Sequence, residues 1–236
     1  MSIYLLSDDL RFPSPTNADE EGLLAIGGDL SPERLVMAYS MGIFPWYSAG
    51  DPIMWWSPDP RMVIRPGEFR PSTSLRKSYR KMKLRLSMDE AFEQVIRNCS
   101  GIPRGNQEGT WITEEMRESY CQLHELGVAH SLECWNSETL VGGLYGLSLG
   151  NCFFGESMFA KQSDASKLAF WALMRYADTA GIEFVDCQLH NDHLESLGAY
   201  TIKREEYMRW LYRSLESQTR QGSWGEAFSL CVAQGL

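Results

Sequence analysis

The apolar positions of this chain switch repeatedly between helical and strand spacing, which predicts an α+β protein. Ser31 before Pro32, a face of Leu35, Ala38 and Tyr39, and a closing Gly42 predict a capped helix. Residues 83–86 alternate and predict a strand with its bases exposed, and 89–99 carry the helical stripe Ala91, Phe92, Val95 and Ile96. Thr113 caps a further helix, with Glu114 and Glu115 in its first turn and Gly127 at its end. Strand-like segments follow at 130–135, 140–147 and 151–159, joined by short polar turns that suit antiparallel hairpins. Then come a helix over about 164–180 ended by Gly181, and a strand over 183–189. A short helix capped by Asn191 or Asp192 and an amphipathic helix near 204–215 complete the series.

The first 60 or so residues differ. Proline and glycine punctuate them, among others at Pro13, Pro15, Gly27, Gly28, Pro45, Pro58 and Pro60, and four aromatics (Trp46, Tyr47, Trp55, Trp56) follow the first helix. This predicts a small N-terminal domain over 1–64 and a larger one over 65–236 with a mostly antiparallel central sheet. Antiparallel strands, a long helix, then another strand is the order of the GNAT (acetyltransferase-like) fold, an analogy of arrangement that carries no chemistry.

At 236 residues and 44% apolar content the chain is long enough to bury a sizeable core. The start MSIYLLSDDLRFPSP lacks the basic and apolar regions of a signal peptide, and no apolar run approaches bilayer length. Six scattered cysteines without a CxxC read as reduced thiols, so a cytoplasmic protein is expected. The net charge of -9 argues against a nucleic-acid partner until its distribution is considered. Six of the 22 basic residues, Arg76, Lys77, Arg80, Lys81, Lys83 and Arg85, lie in one ten-residue window with no acid among them. A solvated helix face is the bland account. The absence of interleaved acids favours a phosphate-binding patch.

Two strands carry candidate chemistry. In EFVDCQL, alternation puts Phe184, Asp186 and Gln188 on one face and Val185, Cys187 and Leu189 on the other. A carboxylate beside an amide in an interior strand is either a structural hydrogen bond or a site. In NCFFGESMF, alternation groups Cys152, Phe154, Glu156 and Met158, with Gly155 permitting close approach. An edge-strand glutamate reaching solvent is the plain alternative. Most of Trp46, Trp55, Trp56 and Trp111 are expected in the core, and one or two suit stacking on a nucleobase. Cys187, His190 and His193 have the spacing C-x2-H-x2-H but lack a fourth ligand, so no metal is expected. No cysteine has a setting that activates a nucleophile.

Seven blocks in order, GLLAIGGDLSPERLVMAYSMGIFPW, WWSPDPR, GTWIT, LHELGVAHSLE, LVGGLYG, GESMF and DCQ with NDH, resemble the bacterial leucyl/phenylalanyl-tRNA–protein transferases over about residues 12–200. The resemblance implies a small N-terminal domain and a GNAT-like C-terminal one. It implies transfer of leucine, phenylalanine and, less well, methionine from aminoacyl-tRNA to proteins beginning with arginine or lysine, which then enter the N-end rule degradation route. It implies no metal or organic cofactor. A monomer is expected. By the same resemblance Asp186, Gln188 and Glu156 match catalytic positions, Phe153, Ser157, Met158 and Asn191 lie near the donor, and Trp46 and Trp111 lie near the terminal adenosine. Arg76, Lys77, Arg80, Lys81, Lys83 and Arg85 then suit the tRNA backbone. Two rivals remain. An acyl-CoA N-acyltransferase of GNAT type would hold pyrophosphate on a glycine-bearing loop before the long helix, where this chain has AKQSDASK. A non-catalytic tRNA-binding protein would explain the basic window but not the acids in apolar strands.

Overall fold

The computed structural model describes residues 3–101, 112–233 and 235–236. In chain order its elements are β1 (Tyr4–Leu6), β2 (Leu23–Gly27), α1 (Pro32–Ser40), β3 (Phe44–Pro45), β4 (Met54–Trp56), β5 (Arg61–Ile64), α2 (Thr73–Met82), β6 (Arg85–Met88), α3 (Phe92–Ser100) and α4 (Glu114–Glu125). There follow β7 (Ala129–Asn136), β8 (Thr139–Leu149), β9 (Cys152–Ala160), α5 (Ala165–Ala180), β10 (Phe184–Gln188), α6 (Asp192–Ser196), β11 (Tyr200–Ile202), α7 (Arg204–Leu215) and α8 (Gly225–Ala233).

The turn-rich start folds as a four-stranded sheet in the order β1-β2-β4-β3, with β1 parallel to β2 and the other pairs antiparallel. Trp55 is fully buried there, donating its indole N–H to the Gly27 carbonyl at 2.9 Å. Helix α1 starts as its sequence requires, the Ser31 hydroxyl accepting from the Arg34 N–H. Its buried face, Leu35, Ala38 and Tyr39, packs toward α4 and β8.

The second sheet has seven strands in the order β11-β5-β10-β9-β8-β7-β6. All its neighbours are antiparallel except β9 and β10, which run parallel because α5 carries the chain back between them. Strand β5, expected on the N-terminal side of a boundary at residue 65, belongs to this sheet, so the smaller sheet ends at Trp56. Strands β5 and β11 have too few residues for alternation to register.

Each face of the large sheet is covered by helices. One core joins Phe154 and Phe184 to side chains of α1, α3, α4 and α7; the other joins Phe153 and Val185 to those of α2, α5 and α8. Helix α5 is apolar almost all round because sheet and helices surround it, and Gly142 lets its first turn approach: a Cβ there would lie 2.5 Å from that of Ala165. Helix α8 has no counterpart among the elements that the spacing predicts. It buries Phe228, and Trp224 just before it stacks on His130 at 3.7 Å. Among the described residues no helix is long and apolar enough to cross a membrane.

Candidate active site

The parallel pair β9–β10 lies at the centre of the sheet, and each strand carries a bulge near the end of their pairing. On β9, Tyr145 pairs with Ser157 but Gly146 with Gly155, so Glu156 is the extra residue. On β10, Asp186 pairs with Val63 and Gln188 with Met62, so Cys187 is extra. A bulge reverses the in–out alternation and re-aims the residues beyond it. The groupings expected from alternation therefore fail in two places. Met158 packs with the opposite core from Cys152 and Phe154. Asp186 and Gln188 do not project together: Gln188 enters the left-handed region at φ 59° and turns into a cleft, while Asp186 points into the core.

Asp186 is completely buried. The Arg61 guanidinium grips it bidentately, Nε to Oδ1 at 2.8 Å and Nη2 to Oδ2 at 2.7 Å, and the Tyr207 hydroxyl donates to Oδ2 at 2.8 Å. Arg61 also donates to the Gly42 carbonyl at 3.1 Å and lies between the Phe44 and Tyr207 rings. Burial works against its charge, and Asp186 keeps it protonated. The fourth bond to Asp186 comes from the Gln188 backbone N–H, 2.9 Å from Oδ1. This side-chain-to-backbone turn two residues long fixes the left-handed Gln188. The carboxylate thus holds the backbone of Gln188, not its side-chain amide, and it does not line the cleft.

The Gln188 amide instead donates from Nε2 to Glu156 Oε1 at 3.3 Å. Two tyrosines absent from the sequence-based site complete the surroundings of Glu156. The Tyr39 hydroxyl of α1 lies 2.7 Å from Oε1, the Tyr120 hydroxyl of α4 lies 3.1 Å from Oε2, and the two hydroxyls are 2.5 Å apart. Burial pushes the Glu156 carboxyl up to about 7, against the lowering effect of both hydroxyls. Tyr39 marked itself in the sequence only as the buried face of a helix; Tyr120 carried no signal beyond helical spacing.

Above Glu156 and Gln188 opens a cleft of about 660 Å³. Leu144, Met158, Phe170, Leu173, Val185 and Cys187 form apolar wall, and Trp46, Asn191 and His193 are also exposed to it. Of the predicted donor-side residues, Ser157, Met158 and Asn191 line this space. Phe153 does not: it is wholly buried, its ring 6.2 Å from that of Trp224. Asn191 also caps α6, accepting from the N–H groups of His193 and Leu194. Trp46 stands edge-on to Trp56 with centroids 5.6 Å apart, and its carbonyl accepts the Trp56 indole N–H. Trp111 lies outside the described residues. The spacing C-x2-H-x2-H does not converge: the metal-type cluster found among the described residues is His190, Asp192 and Glu195, all exposed, without Cys187.

The basic window spans two elements. Ser72 caps α2, Leu75 anchors it, and Lys83 at φ 49° ends it, so the strand starts at Arg85, not at residue 83. Arg76, Lys77, Arg80, Lys81 and Lys83 are exposed; Arg85 pairs with Glu90 at 2.7 Å and lies over the Trp135 ring. The loop before α5 places Asp164 at the start of that helix, where Ser78 and Lys167 hold its carboxyl below its usual range.

Residues 63–212 match the family model described as leucyl/phenylalanyl-tRNA protein transferase, and residues 28–59 match the model of that family's N-terminal domain. Curated proteins called leucyl/phenylalanyl-tRNA–protein transferase are similar over most of the chain. That of Desulforapulum autotrophicum is 50% identical over 95% of this chain and 98% of its own. That of Anaeromyxobacter sp. (strain K) is 52% identical over 95% and 96%, and that of Flavobacterium johnsoniae 54% identical over 87% and 97%. Among solved structures, a functionally unknown conserved protein from Staphylococcus epidermidis ATCC 12228 is 9% identical with a TM-score of 0.42, covering 77% of this chain and 68% of that one. L-PGS from Bacillus licheniformis is 13% identical with a TM-score of 0.40, covering 71% and 54%.

Proposed function

Because the chain belongs to the leucyl/phenylalanyl-tRNA–protein transferase family, we propose that it moves leucine or phenylalanine, and methionine less well, from charged tRNA to the amino terminus of proteins that begin with arginine or lysine. Membership makes it an enzyme, an aminoacyltransferase acting between aminoacyl-tRNA and protein. Its products suit the N-end rule route of degradation, and a cytoplasmic monomer fits that task.

The observation that carries this reading is the meeting of Glu156 and Gln188 at one end of an apolar cleft. An aminoacyl ester is already activated, so the protein needs to hold ester and amine together and to manage protons. A free α-amino group titrates at about 7.7–8.0, so part of it is neutral near pH 7. With its NH2 engaged by Glu156, Gln188 keeps its carbonyl oxygen as acceptor for the attacking amine. Asp186 then acts as a positioning residue through the Gln188 backbone, with Arg61 and Tyr207 securing it. Leu144, Met158, Phe170 and Leu173 suit leucine and phenylalanine side chains, and methionine in such a wall adapts to both. A methylene is worth only about 1–3 kcal/mol in an apolar pocket, which accounts for leakage to methionine. Trp46 and Trp111 would stack the terminal adenosine, Ser157 and Asn191 would contact the donor, and Phe153 would support the wall from behind.

The six cations from Arg76 to Arg85 would take tRNA phosphates. A GNAT-like architecture for the large domain is supported by the parallel pair β9–β10 set in an antiparallel sheet, with α5 between them. Coenzyme A is disfavoured by the Asp164 carboxylate at the start of α5, where a pyrophosphate would otherwise meet the positive end of the helix. The deciding experiment is transfer of radiolabelled phenylalanine from Phe-tRNA to a peptide beginning with arginine. The expected result is transfer by the wild type and a loss of at least tenfold in Gln188→Ala; absence of transfer by the wild type with tRNA still bound would overturn the reading.

A further inference from the structure

Three oxygen-bearing groups, Glu156, Tyr39 and Tyr120, touch one another pairwise: 2.7 Å from Tyr39 to Oε1, 3.1 Å from Tyr120 to Oε2, and 2.5 Å between the hydroxyls. Each contact needs one hydrogen, since two oxygens without a proton between them repel at these distances. Three contacts require three hydrogens. The tyrosines supply two, and burial together with Glu156 raises both phenols well above their usual range, so neither gives its proton up. With Glu156 ionised, one contact lacks a hydrogen. With Glu156 protonated the count closes: Glu156 donates to Tyr120, Tyr120 to Tyr39, and Tyr39 to the carbonyl oxygen of Glu156, which also accepts from Gln188.

We propose that Glu156 rests in the cleft as a neutral carboxylic acid, closed into a hydrogen-bonded ring by Tyr39 and Tyr120, and that this ring holds the proton exchanged during transfer. The second half of the inference rests on the transfer reading; the first half does not. The charged and titratable groups around Glu156 agree with a neutral resting state. From β5 and β10 it faces an ion pair already closed on itself, Arg61 with Asp186; from β8 comes the Tyr145 ring, packed edge-on to Tyr120; and His190, His193 and the Cys187 thiol share the cleft. A free cation for a Glu156 carboxylate is absent from this set among the described residues.

Two tasks are open to a carboxyl in this position, selection of the cationic acceptor by charge and handling of the protons of transfer. A neutral acid offers the guanidinium of an acceptor arginine less than a carboxylate would, so the resting ring favours the second task. As a proton holder it fits the balance of the reaction. The neutral amine attacks the ester carbonyl, a C–N bond forms, and the bond from that carbon to the ribose 3′ oxygen breaks. The nitrogen loses one proton and the departing oxygen gains one. Glu156 gives its proton to that oxygen and receives the proton of the nitrogen, and the ring is restored with no net change. Tyr39 and Tyr120 are positioning residues that fix which oxygen of Glu156 carries the hydrogen.

The protonation state is read without turnover. Infrared difference spectra of wild type minus Glu156→Gln, recorded on the substrate-free enzyme across pH, isolate this carboxyl from Glu133, a second buried acid raised to about 7. A protonated-carboxyl band present at pH 6 and lost as pH rises through about 7 is expected, since the raised group keeps its proton below that value and loses it above. Carboxylate alone at pH 6 would overturn the ring, whether or not the enzyme transfers leucine. Should Glu156→Gln not fold, a protonated-carboxyl band of labelled glutamate that shifts between wild type and Tyr120→Phe identifies Glu156, and the absence of any shifted band would overturn the ring. The catalytic half is tested with Tyr39→Phe and Tyr120→Phe. Tyr39→Phe removes a donor to Glu156, so the alkaline fall of kcat/KM is expected to move to higher pH; Tyr120→Phe removes the acceptor of the acid's hydrogen, so the fall is expected to move to lower pH, with kcat reduced about tenfold in each. Unchanged pH profiles in both variants would remove the ring from the mechanism.

Discussion

Arg61 decides the state of the site more than any residue that lines the cleft. It is 125 positions from Asp186, yet the pair is fully buried, with two hydrogen bonds under 3 Å. Removing one partner of such a pair leaves an uncompensated charge and typically costs about 3–5 kcal/mol. Arg61→Met is therefore expected to lower unfolding stability by about that amount in a urea titration. Arg61→Met with Asp186→Leu is expected to recover much of the stability but little of the transfer activity, because the Gln188 N–H has lost the acceptor that holds its left-handed turn. A double variant as active as the wild type would show that the turn does not depend on Asp186. The sequence made Asp186 conspicuous as an acid in an apolar strand. Arg61 was inconspicuous, since nothing in local spacing pairs residues so far apart, and the same holds for Tyr39 with Glu156, 117 positions away.

Among the elements, the strands that build the site are the ones that alternation misreads. The segments at 130–135, 140–147, 151–159 and 183–189 do form strands, with ends shifted by a few residues. The bulges at Glu156 and Cys187 were not legible, because an inserted residue leaves no periodic mark, although Gly155 hinted at a close approach. Gly146, across from Gly155, has no room for a side chain: a Cβ would lie 2.1 Å from the Phe154 carbonyl and 2.6 Å from the Phe153 ring. Gly146→Ala is expected to cost about 1–3 kcal/mol through forced displacement of β9. Because that displacement moves Glu156, kcat is expected to fall while the tRNA Michaelis constant stays near its wild-type value. Retained kcat in a stably folded Gly146→Ala would separate the bulge from catalysis.

On the scale of the whole molecule, an acidic chain carries an exposed cationic helix, α2, and the tRNA proposal places phosphates there. Arg76→Glu combined with Arg80→Glu is expected to raise the tRNA Michaelis constant, leaving kcat at saturating tRNA close to wild type. The dependence of log affinity on log salt should also become shallower, by about 0.7–0.9 for each phosphate no longer neutralised. An unchanged Michaelis constant and slope would move the tRNA to another surface. Arg85 belongs to this window by sequence, but its ion pair with Glu90 and its seat over Trp135 make it the cation least available to phosphate.

The sequence by itself determined most of the helices and the hairpins, the caps at Ser31 and Thr113, the concentration of positive charge and the family, because each of these is written in local spacing or in ordered blocks of residues. The tertiary structure alone decided that β5 joins the large sheet, that α8 packs beneath it, and that Asp186 faces the core while Gln188 faces the cleft. It also brought Tyr39, Tyr120 and Glu156 together. The physical reason is that pairing across strands and burial between elements depend on distances in space, and a one-residue bulge, silent in the pattern of the chain, reverses every side chain after it.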